Sequence, residues 1–135
     1  MSGLAGNDTL LGGTGADVLI GGIGADRFDF NFVSDSTASA RDVIRAGGGA
    51  PAFEGAGIAG GDLIDLSGID ANTSMAGNQP FVFGGTTAGH LSLVNSGTTT
   101  ILNANVDADA TFEFVLAIED GGLLASAYKA VDFIL

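Results

Sequence analysis

The sequence contains no cysteine, no tryptophan and only two prolines, and it has just four basic residues. Without cysteine there is neither a disulfide framework nor a thiolate metal site, so stability has to come from packing or from an ion held by oxygen ligands. No apolar run reaches the roughly 18 residues that span a bilayer. The first residues also lack the basic and apolar regions of a Sec-type signal peptide. At 135 residues, we expect a single domain without membrane insertion.

Acidic residues dominate the charge. Sixteen carboxylates face the four basic side chains, which gives a formal net charge of −12, so nucleic acid and anionic membranes are poor partners for this surface. Thirteen of the 16 acidic residues are aspartate, whose short side chain suits turns and the ligation of hard cations. Glycine accounts for 23 of the 135 residues, against a usual share of about 7%, which indicates many tight turns.

Three consecutive nine-residue units share one register near the N-terminus. They read GLAGNDTLL from Gly3, GGTGADVLI from Gly12 and GGIGADRFD from Gly21. Glycine fills the first and fourth positions, aspartate the sixth and a large apolar residue the eighth. In the second position, Leu4 replaces the glycine of the other two units. This periodicity predicts a solenoid of short coils.

The unit has a physical logic that favours calcium. Its first six residues form a turn in which glycines adopt positive φ, so backbone carbonyls and the sixth-position carboxylate face one point. Units 18 residues apart stack at about the 4.8 Å spacing of strands, and two stacked turns can then share one Ca²⁺, which takes six to eight oxygen ligands. The predicted ligating positions in the three turns are Gly3, Gly6, Asp8, Gly13, Gly15, Asp17, Gly21, Gly24 and Asp26.

Two pairings follow from this spacing. The first and third turns bring Asp8 and Asp26 to the same edge, which is the best predicted site. The second turn needs a partner 18 residues after Asp17, where Asp35 stands without surrounding glycines, and we expect a degenerate second site there. The alternative interpretation of the repeats is a glycine-rich solenoid turn that binds no calcium.

The rest of the chain predicts an all-β fold. Phe28, Phe30 and Phe32 alternate with polar residues, which is typical of a strand with one buried face. Short turn-bounded runs predict further strands at 63–66, 81–83, 91–94, 98–102 and 112–118. We therefore expect a short parallel β-roll over residues 1–38, a Gly/Ala-rich loop over 39–62 and an antiparallel β-sandwich or meander over 63–135, all in one domain.

Further segments carry a resemblance to known proteins: GADRFDF at 24–30, SDS at 34–36, DVI at 42–44, DLIDLSGIDAN at 62–72, GNQPFVF at 77–83 and DFIL at 132–135. The repeats resemble the calcium-binding β-roll of the repeat-in-toxin (RTX) family. The continuation is similar to the C-terminal domain of the serralysin-type secreted metalloproteases. This resemblance implies folding on calcium outside the cell and type I secretion from a Gram-negative bacterium. The uncleaved signal is then Asp132-Phe133-Ile134-Leu135.

The resemblance also bears on two aspartates beyond the repeats. Asp42 and Asp62 match the pattern of the relatives, which implies that they complete a calcium site on the flank of the roll; turn aspartates are the alternative. The chain departs from the pattern where relatives have an Asp-Phe pair, because Ala46-Gly47 and a longer Gly/Ala insertion stand there. A calcium ligand at that position is therefore missing.

Other constellations do not favour catalysis. The zinc motif H-E-x-x-H is absent, since His90 is the single histidine. The run NVDAD at 105–109 resembles the start of an EF-hand loop, but it lacks the later glycine and glutamate of that loop, so we expect a hairpin with Asx turns.

We accordingly predict a secreted, monomeric calcium-binding export tail that is not an enzyme and whose partner is the type I secretion machinery. The alternative is a polysaccharide-binding module similar to those of alginate epimerases. That module would expose basic or aromatic residues on one face, whereas this chain has four basic residues and one tyrosine.

Overall fold

Short apolar runs separated by glycine-rich turns form eleven strands. They are β1 (Ser2–Ala5), β2 (Thr9–Leu10), β3 (Val18–Ile23), β4 (Arg27–Asp29), β5 (Val43–Arg45), β6 (Leu63–Asp65), β7 (Val82–Phe83), β8 (His90–Ser96), β9 (Thr99–Asn105), β10 (Phe114–Glu119) and β11 (Phe133–Ile134). The computed structural model describes all 135 residues. Its helical elements are three short 3-10 turns, so no helix has the length and apolar character to cross a membrane.

The repeats wind alternately between two sheets. The larger sheet has seven strands in the order β1-β3-β5-β10-β9-β8-β7, and the smaller has four in the order β11-β6-β4-β2. Ser2 pairs with Ile20 in the first sheet and Thr9 with Arg27 in the second, both in parallel register. Stacked turns are therefore 18 residues apart, which confirms the coil spacing read from the repeats.

The C-terminal half adds an antiparallel meander to the larger sheet. Strands β8, β9 and β10 pair in sequence, with Leu93 opposite Leu102 and Ile118 opposite Thr100. β10 also runs parallel to β5, and β5 runs parallel to β3, so the sheet passes without a break from roll to meander. The predicted all-β class, a parallel roll continuing into antiparallel strands, is confirmed.

The boundaries of the roll differ from those predicted. The sequence predicts a loop over 39–62, yet β5 (Val43–Arg45) lies inside it and joins the two halves of the larger sheet. Val43 and Ile44 are β-branched and favour a strand, but the Gly/Ala-rich sequence around them predicts a loop. Phe53 is also buried. The smaller sheet likewise recruits β6 and β11, so the roll does not end at residue 38.

One apolar core lies between the sheets. The eighth-position residues of the repeats, Leu10, Leu19 and Phe28, all point inward and are buried, as the repeat predicts. Phe30 follows them into the core and packs edge to face on Phe114 of the meander, with ring centroids 5.1 Å apart. The roll and the meander are therefore stabilised by the same contacts.

Phe32 departs from the alternation that Phe28 and Phe30 begin. Its side chain is 67% exposed, because the strand ends at Asp29 and the chain turns into a 3-10 turn over Val33–Asp35. The prediction of a buried face extending to Phe32 is therefore wrong.

Candidate metal centre

The first and third repeat turns stack at one edge of the roll, where they bring Asp8 and Asp26 together. The backbone N–H of Asp8 donates to Asp26 Oδ1 at 2.9 Å. The other oxygens, Asp8 Oδ2 and Asp26 Oδ2, are buried and have no hydrogen-bond partner. A buried carboxylate oxygen without a donor is costly, so this edge is shaped for a positively charged ligand.

Glycines make room for these orphaned oxygens. A Cβ on Gly3 would lie 2.6 Å from Asp8 Oδ2, and a Cβ on Gly21 would lie 2.4 Å from Asp26 Oδ2. A backbone carbonyl reaches the same space, since a Cβ on Gly3 would also lie 2.7 Å from the Gly21 carbonyl oxygen. Carboxylate and carbonyl oxygens are the ligands that Ca²⁺ takes in proteins, so the residues present fit this ion.

The same edge continues beyond the repeats. The N–H of Asp26 donates to Asp62 Oδ1 at 2.8 Å, 36 residues later, and Asp62 Oδ2 accepts the N–H of Glu54 at 2.8 Å. Asp8, Asp26 and Asp62 thus form a column that we call the carboxylate ladder. Asp26 is its middle rung, hydrogen-bonded to Asp8 on one side and to Asp62 on the other.

The opposite edge carries a second pair. The N–H of Asp17 donates to Asp42 Oδ1 at 2.8 Å, 25 residues later. Asp42 is fully buried, and its Oδ2 has no hydrogen-bond partner. A Cβ on Gly12 would lie 2.5 Å from that oxygen, which repeats the arrangement at Gly3 and Gly21.

The expected pairing of Asp17 with Asp35 is therefore wrong. Asp35 Oδ2 instead accepts the N–H groups of Asn31 and Phe32, at 2.9 and 3.0 Å, and so closes the 3-10 turn. Because the chain makes this extra turn before β5, the residue that faces Asp17 is Asp42, 25 residues along instead of 18.

Ser36 holds Asp42 in place. Its buried hydroxyl accepts the N–H of Asp42 at 2.9 Å and donates to the Val115 carbonyl at 2.5 Å. Asp42 is therefore linked through Ser36 to β10 of the meander. Repeat spacing does not reveal this residue, and the only sequence signal for it was its place in the SDS segment.

Burial makes one carboxylate on each edge, Asp42 and Asp62, reluctant to ionise. It raises the pKa of Asp42 to about 6, and the nearby Asp17 carboxylate adds to that increase. Burial likewise raises the pKa of Asp62 to about 6, with the Asp26 and Glu54 charges contributing. Donated backbone N–H groups oppose both shifts without cancelling them.

No basic side chain neutralises these carboxylates. The ion pairs of the chain lie elsewhere, between Arg27 and the carboxylates of Asp29 and Asp65, and between Arg45 and Glu119. Buried negative charges without a counter-charge are strongly unfavourable. The two edges therefore have the geometry and the uncompensated charge of divalent-cation sites.

The predicted site residues divide between the two edges. The first edge collects Gly3, Gly6, Asp8, Gly21, Gly24, Asp26 and Asp62, and the second collects Gly13, Gly15, Asp17 and Asp42. Asp35 belongs to neither. The sequence analysis does not single out Gly12, although it holds the same first repeat position as Gly3 and Gly21. It also does not single out Glu54, which lies outside the repeats and whose Oε2 accepts the N–H of Gly24.

A third acidic cluster has a different character. Asp107, Asp109 and Glu113 lie within 4.8 Å of one another in the loop between β9 and β10. Asp107 Oδ1 accepts the N–H of Asp109, and Asp109 Oδ1 accepts the N–H of Thr111, which confirms the predicted Asx turns. Glu113 closes the loop by accepting the N–H of Val106. The carboxylate oxygens of this cluster therefore stabilise the loop by accepting its backbone N–H groups.

Comparison with known families agrees with the geometry of the edges. Residues 2–36 match the model of the RTX calcium-binding nonapeptide repeat, in four copies. This part of the chain therefore consists of RTX repeats, which bind Ca²⁺. No curated protein matches the chain.

Among solved structures, the chain is similar to the AlgE6R3 subunit of the mannuronan C5-epimerase from Azotobacter vinelandii. The two are 31% identical with a TM-score of 0.58, over 98% of this chain and 65% of that chain. The AlgE6R2 subunit of the same enzyme is 25% identical over 100% of this chain and 80% of its own, with a TM-score of 0.49. The chain thus spans about two thirds of the length of the first.

Proposed function

We propose that this chain is a non-catalytic, monomeric module that folds when it binds extracellular Ca²⁺ and that carries a C-terminal type I secretion signal. It serves as the export, folding and stability tail of a secreted protein. The observation that carries this proposal is the carboxylate ladder, together with the Asp17 and Asp42 pair. Asp8, Asp26 and Asp42 each have a buried oxygen without a hydrogen-bond partner, and no aspartate of the two edges is in an ion pair.

The carboxylate ladder makes folding depend on bound Ca²⁺. With the sites empty, the stacked carboxylates repel one another, and the glycine-rich turns lose more backbone entropy on ordering than other residues would. Bound Ca²⁺ supplies positive charge and ligation free energy to the folded state only. Extracellular modules typically bind calcium with Kd of about 10⁻⁴ to 10⁻³ M, so the chain would stay open at the far lower calcium concentrations inside a cell.

Calcium is expected to switch the chain between unfolded and folded states. In excess chelator we expect a far-ultraviolet circular dichroism spectrum of a disordered chain and no cooperative melting transition. About 10 mM Ca²⁺ should restore β-structure and cooperative melting. Mg²⁺ at the same concentration is the control, because its small size and octahedral preference do not suit a site of many carbonyl oxygens. An equally β-rich, equally cooperative protein in chelator would contradict the proposal.

The C-terminal residues have a place in the folded sheet. The Asp132 carboxylate accepts the N–H of Gly57 and of Lys129, each at 2.8 Å. Phe133 then pairs with Ile64 of β6 and packs against Phe83, with ring centroids 5.3 Å apart. These residues are accessible to an export machine only while the sheet is unformed, which supports coupling export to low internal calcium.

Deletion of residues 132–135 is expected to abolish export by a type I system and leave the chain inside the cell. The matched control is Phe28→Ala, which should cost about 3–5 kcal/mol of folded stability but leaves the C-terminus intact. That variant should still reach the medium. The measurement is the fraction of chain in the medium by immunoblot, and undiminished export of the truncated chain would contradict the signal.

A polysaccharide-binding module is the second candidate, and the likeness to the AlgE6R3 epimerase subunit favours it. The charge of the chain opposes it, since Arg27 and Arg45 are engaged in ion pairs and the net charge is −12. Only Arg41 and Lys129 remain to meet an anionic sugar. Calorimetric titration with mannuronan oligomers in saturating calcium distinguishes the two candidates.

A further inference from the structure

The two sheets of the roll end side by side at the first coil. β1 is the outermost strand of the larger sheet and β2 is the outermost strand of the smaller one, so each pairs on one side only. We call this end of the roll, formed by β1 and β2, the open end. Unpaired strand edges are templates for further pairing. In a solenoid, such an edge is matched to another coil of the same repeat.

Two glycines of the third turn show how one coil lies against the coil before it. A Cβ on Gly22 would lie 2.0 Å from the Leu4 carbonyl oxygen, and a Cβ on Gly24 would lie 2.2 Å from the Gly6 carbonyl oxygen. Gly22 and Gly24 hold the second and fourth positions of their repeat. At both positions, a side chain would point at the backbone of the preceding coil. Glycine is therefore required wherever a coil is stacked there.

The corresponding positions at the open end face empty space. A Cβ on Gly6, in the fourth position of the first repeat, would meet no atom within 4 Å. The same holds for Gly13, in the second position of the second repeat. No coil is stacked on these two glycines, and both leave room for one that repeats the geometry of the third turn.

Leu4 departs from this pattern. It holds the second position of the first repeat, and it is the one residue other than glycine with positive φ. Its φ of +81° is close to the +77° of Gly13, so the backbone keeps the conformation of the repeat. A residue with a Cβ pays a steric cost in that region which glycine does not pay. Leu4 is also 66% exposed, so burial in the core does not offset the cost.

We infer that Leu4 closes the open end of the roll to a further coil of the same repeat. By the geometry that Gly22 shows, the Cβ of Leu4 and the side chain beyond it occupy the space in which a stacked coil would place a backbone carbonyl. Leu4 is thus a steric stop on an edge that would otherwise accept a coil, and exposed sheet edges are commonly protected against pairing. The inference rests on the stacking of the coils and not on the proposed export role.

Insertion of one more coil before Gly3 tests the stop. The insert is a second copy of residues 12–29, which contains two repeats in register, and it is placed in full-length chains with Leu4 or with Leu4→Gly. With Leu4→Gly the inserted coil should stack on the first coil. Calorimetric titration should then show at least one calcium ion more than for the same insert with Leu4, and the Tm in saturating calcium should be higher.

Leu4→Ala with the same insert is the matched control. Alanine removes most of the side chain but keeps the Cβ, which by the distance at Gly22 is enough to exclude a backbone carbonyl. This variant should therefore behave like the chain with Leu4. If Leu4→Ala instead gained the same ions as Leu4→Gly, the Cβ would not be the stop, and the inference would be wrong.

Leu4→Gly in the chain without the insert distinguishes a stop from a packing residue. Because Leu4 is exposed and its φ is unfavourable for leucine, glycine should leave the Tm in saturating calcium unchanged or raise it. A lower Tm would show that Leu4 stabilises the first coil by packing, and it would overturn the inference.

Equal ion numbers and equal Tm for the insert with Leu4 and with Leu4→Gly would also overturn the stop. Neither result would touch the calcium switch, which is measured on the chain without the insert, in chelator and in calcium.

Discussion

Asp26→Asn is expected to lose more calcium-dependent stability than any other single aspartate substitution. Asp26 is the middle rung of the ladder: the N–H of Asp8 donates to its Oδ1, its own N–H donates to Asp62 Oδ1, and its Oδ2 has no hydrogen-bond partner. Asparagine keeps the shape but places an amide where an anionic oxygen faces a cation. Both sites that share the rung should therefore weaken together.

The size of this effect follows from mass action. A site stabilises the folded state by about 2.7 kcal/mol when free calcium is about 100 times Kd, so the loss of two sites costs about 5 kcal/mol. At roughly 4 °C per kcal/mol for a domain of this size, the Tm should fall by about 20 °C. Differential scanning calorimetry in about 10 mM Ca²⁺ measures it.

Asp8→Asn is the matched control for Asp26→Asn, because Asp8 is a terminal rung that touches one site. Its Tm should fall by about 10 °C, or half as much. Equal losses in the two variants would contradict the shared rung. In chelator neither variant should show a cooperative transition, as for the wild type, so no difference in Tm between them is expected.

The parts of this fold that could be predicted from sequence are those set by local periodicity. The nine-residue repeat specifies a turn and a three-residue strand, so the inward position of Leu19, the parallel stacking and the Asp8 and Asp26 pair all follow from spacing. Each of these features depends only on residues within one coil or in neighbouring coils of the same length.

The features that could not be predicted depend on coils of unequal length. Asp42 faces Asp17 because Asp35 is used to close an additional turn, and no repeat counts those residues. Glu54 reaches the ladder from a segment whose Gly/Ala composition predicts only a loop. In both cases, long-range strand pairing of β5 and β6 sets the register, and single-sequence periodicity does not carry that information.

The similarity to known proteins also differs between the repeats and the rest of the chain. Residues 2–36, where the repeats lie, match the RTX calcium-binding model, as the spacing of glycine and aspartate predicts. The structural likeness over 98% of the chain is to one epimerase subunit, whereas the similarity to serralysin C-terminal domains stays a prediction. The segments on which that similarity rested include SDS at 34–36 and DVI at 42–44. Ser36 and Asp42 in them form the second edge together with Asp17.

Gly22→Ala is expected to break the first coil even in saturating calcium. Gly22 pairs with Leu4 between β3 and β1, and its φ of +105° lies in the left-handed region. A Cβ there would be 2.0 Å from the Leu4 carbonyl oxygen and 2.7 Å from its carbonyl carbon. Backbone atoms of a paired strand cannot move aside as a flexible side chain can, so the strand pair must separate, at a cost of about 3–5 kcal/mol.

Gly13→Ala isolates the contribution of this contact. Gly13 occupies the same second position of its repeat and also has positive φ, at +77°, but a Cβ there would meet nothing within 4 Å. It should lose only the conformational term of about 1 kcal/mol. Urea unfolding of both variants in calcium measures the difference. If the two variants proved equally stable, the positive φ of the second repeat position would alone explain the need for glycine there. The close approach of Gly22 to the Leu4 backbone would then contribute nothing to the effect of Gly22→Ala.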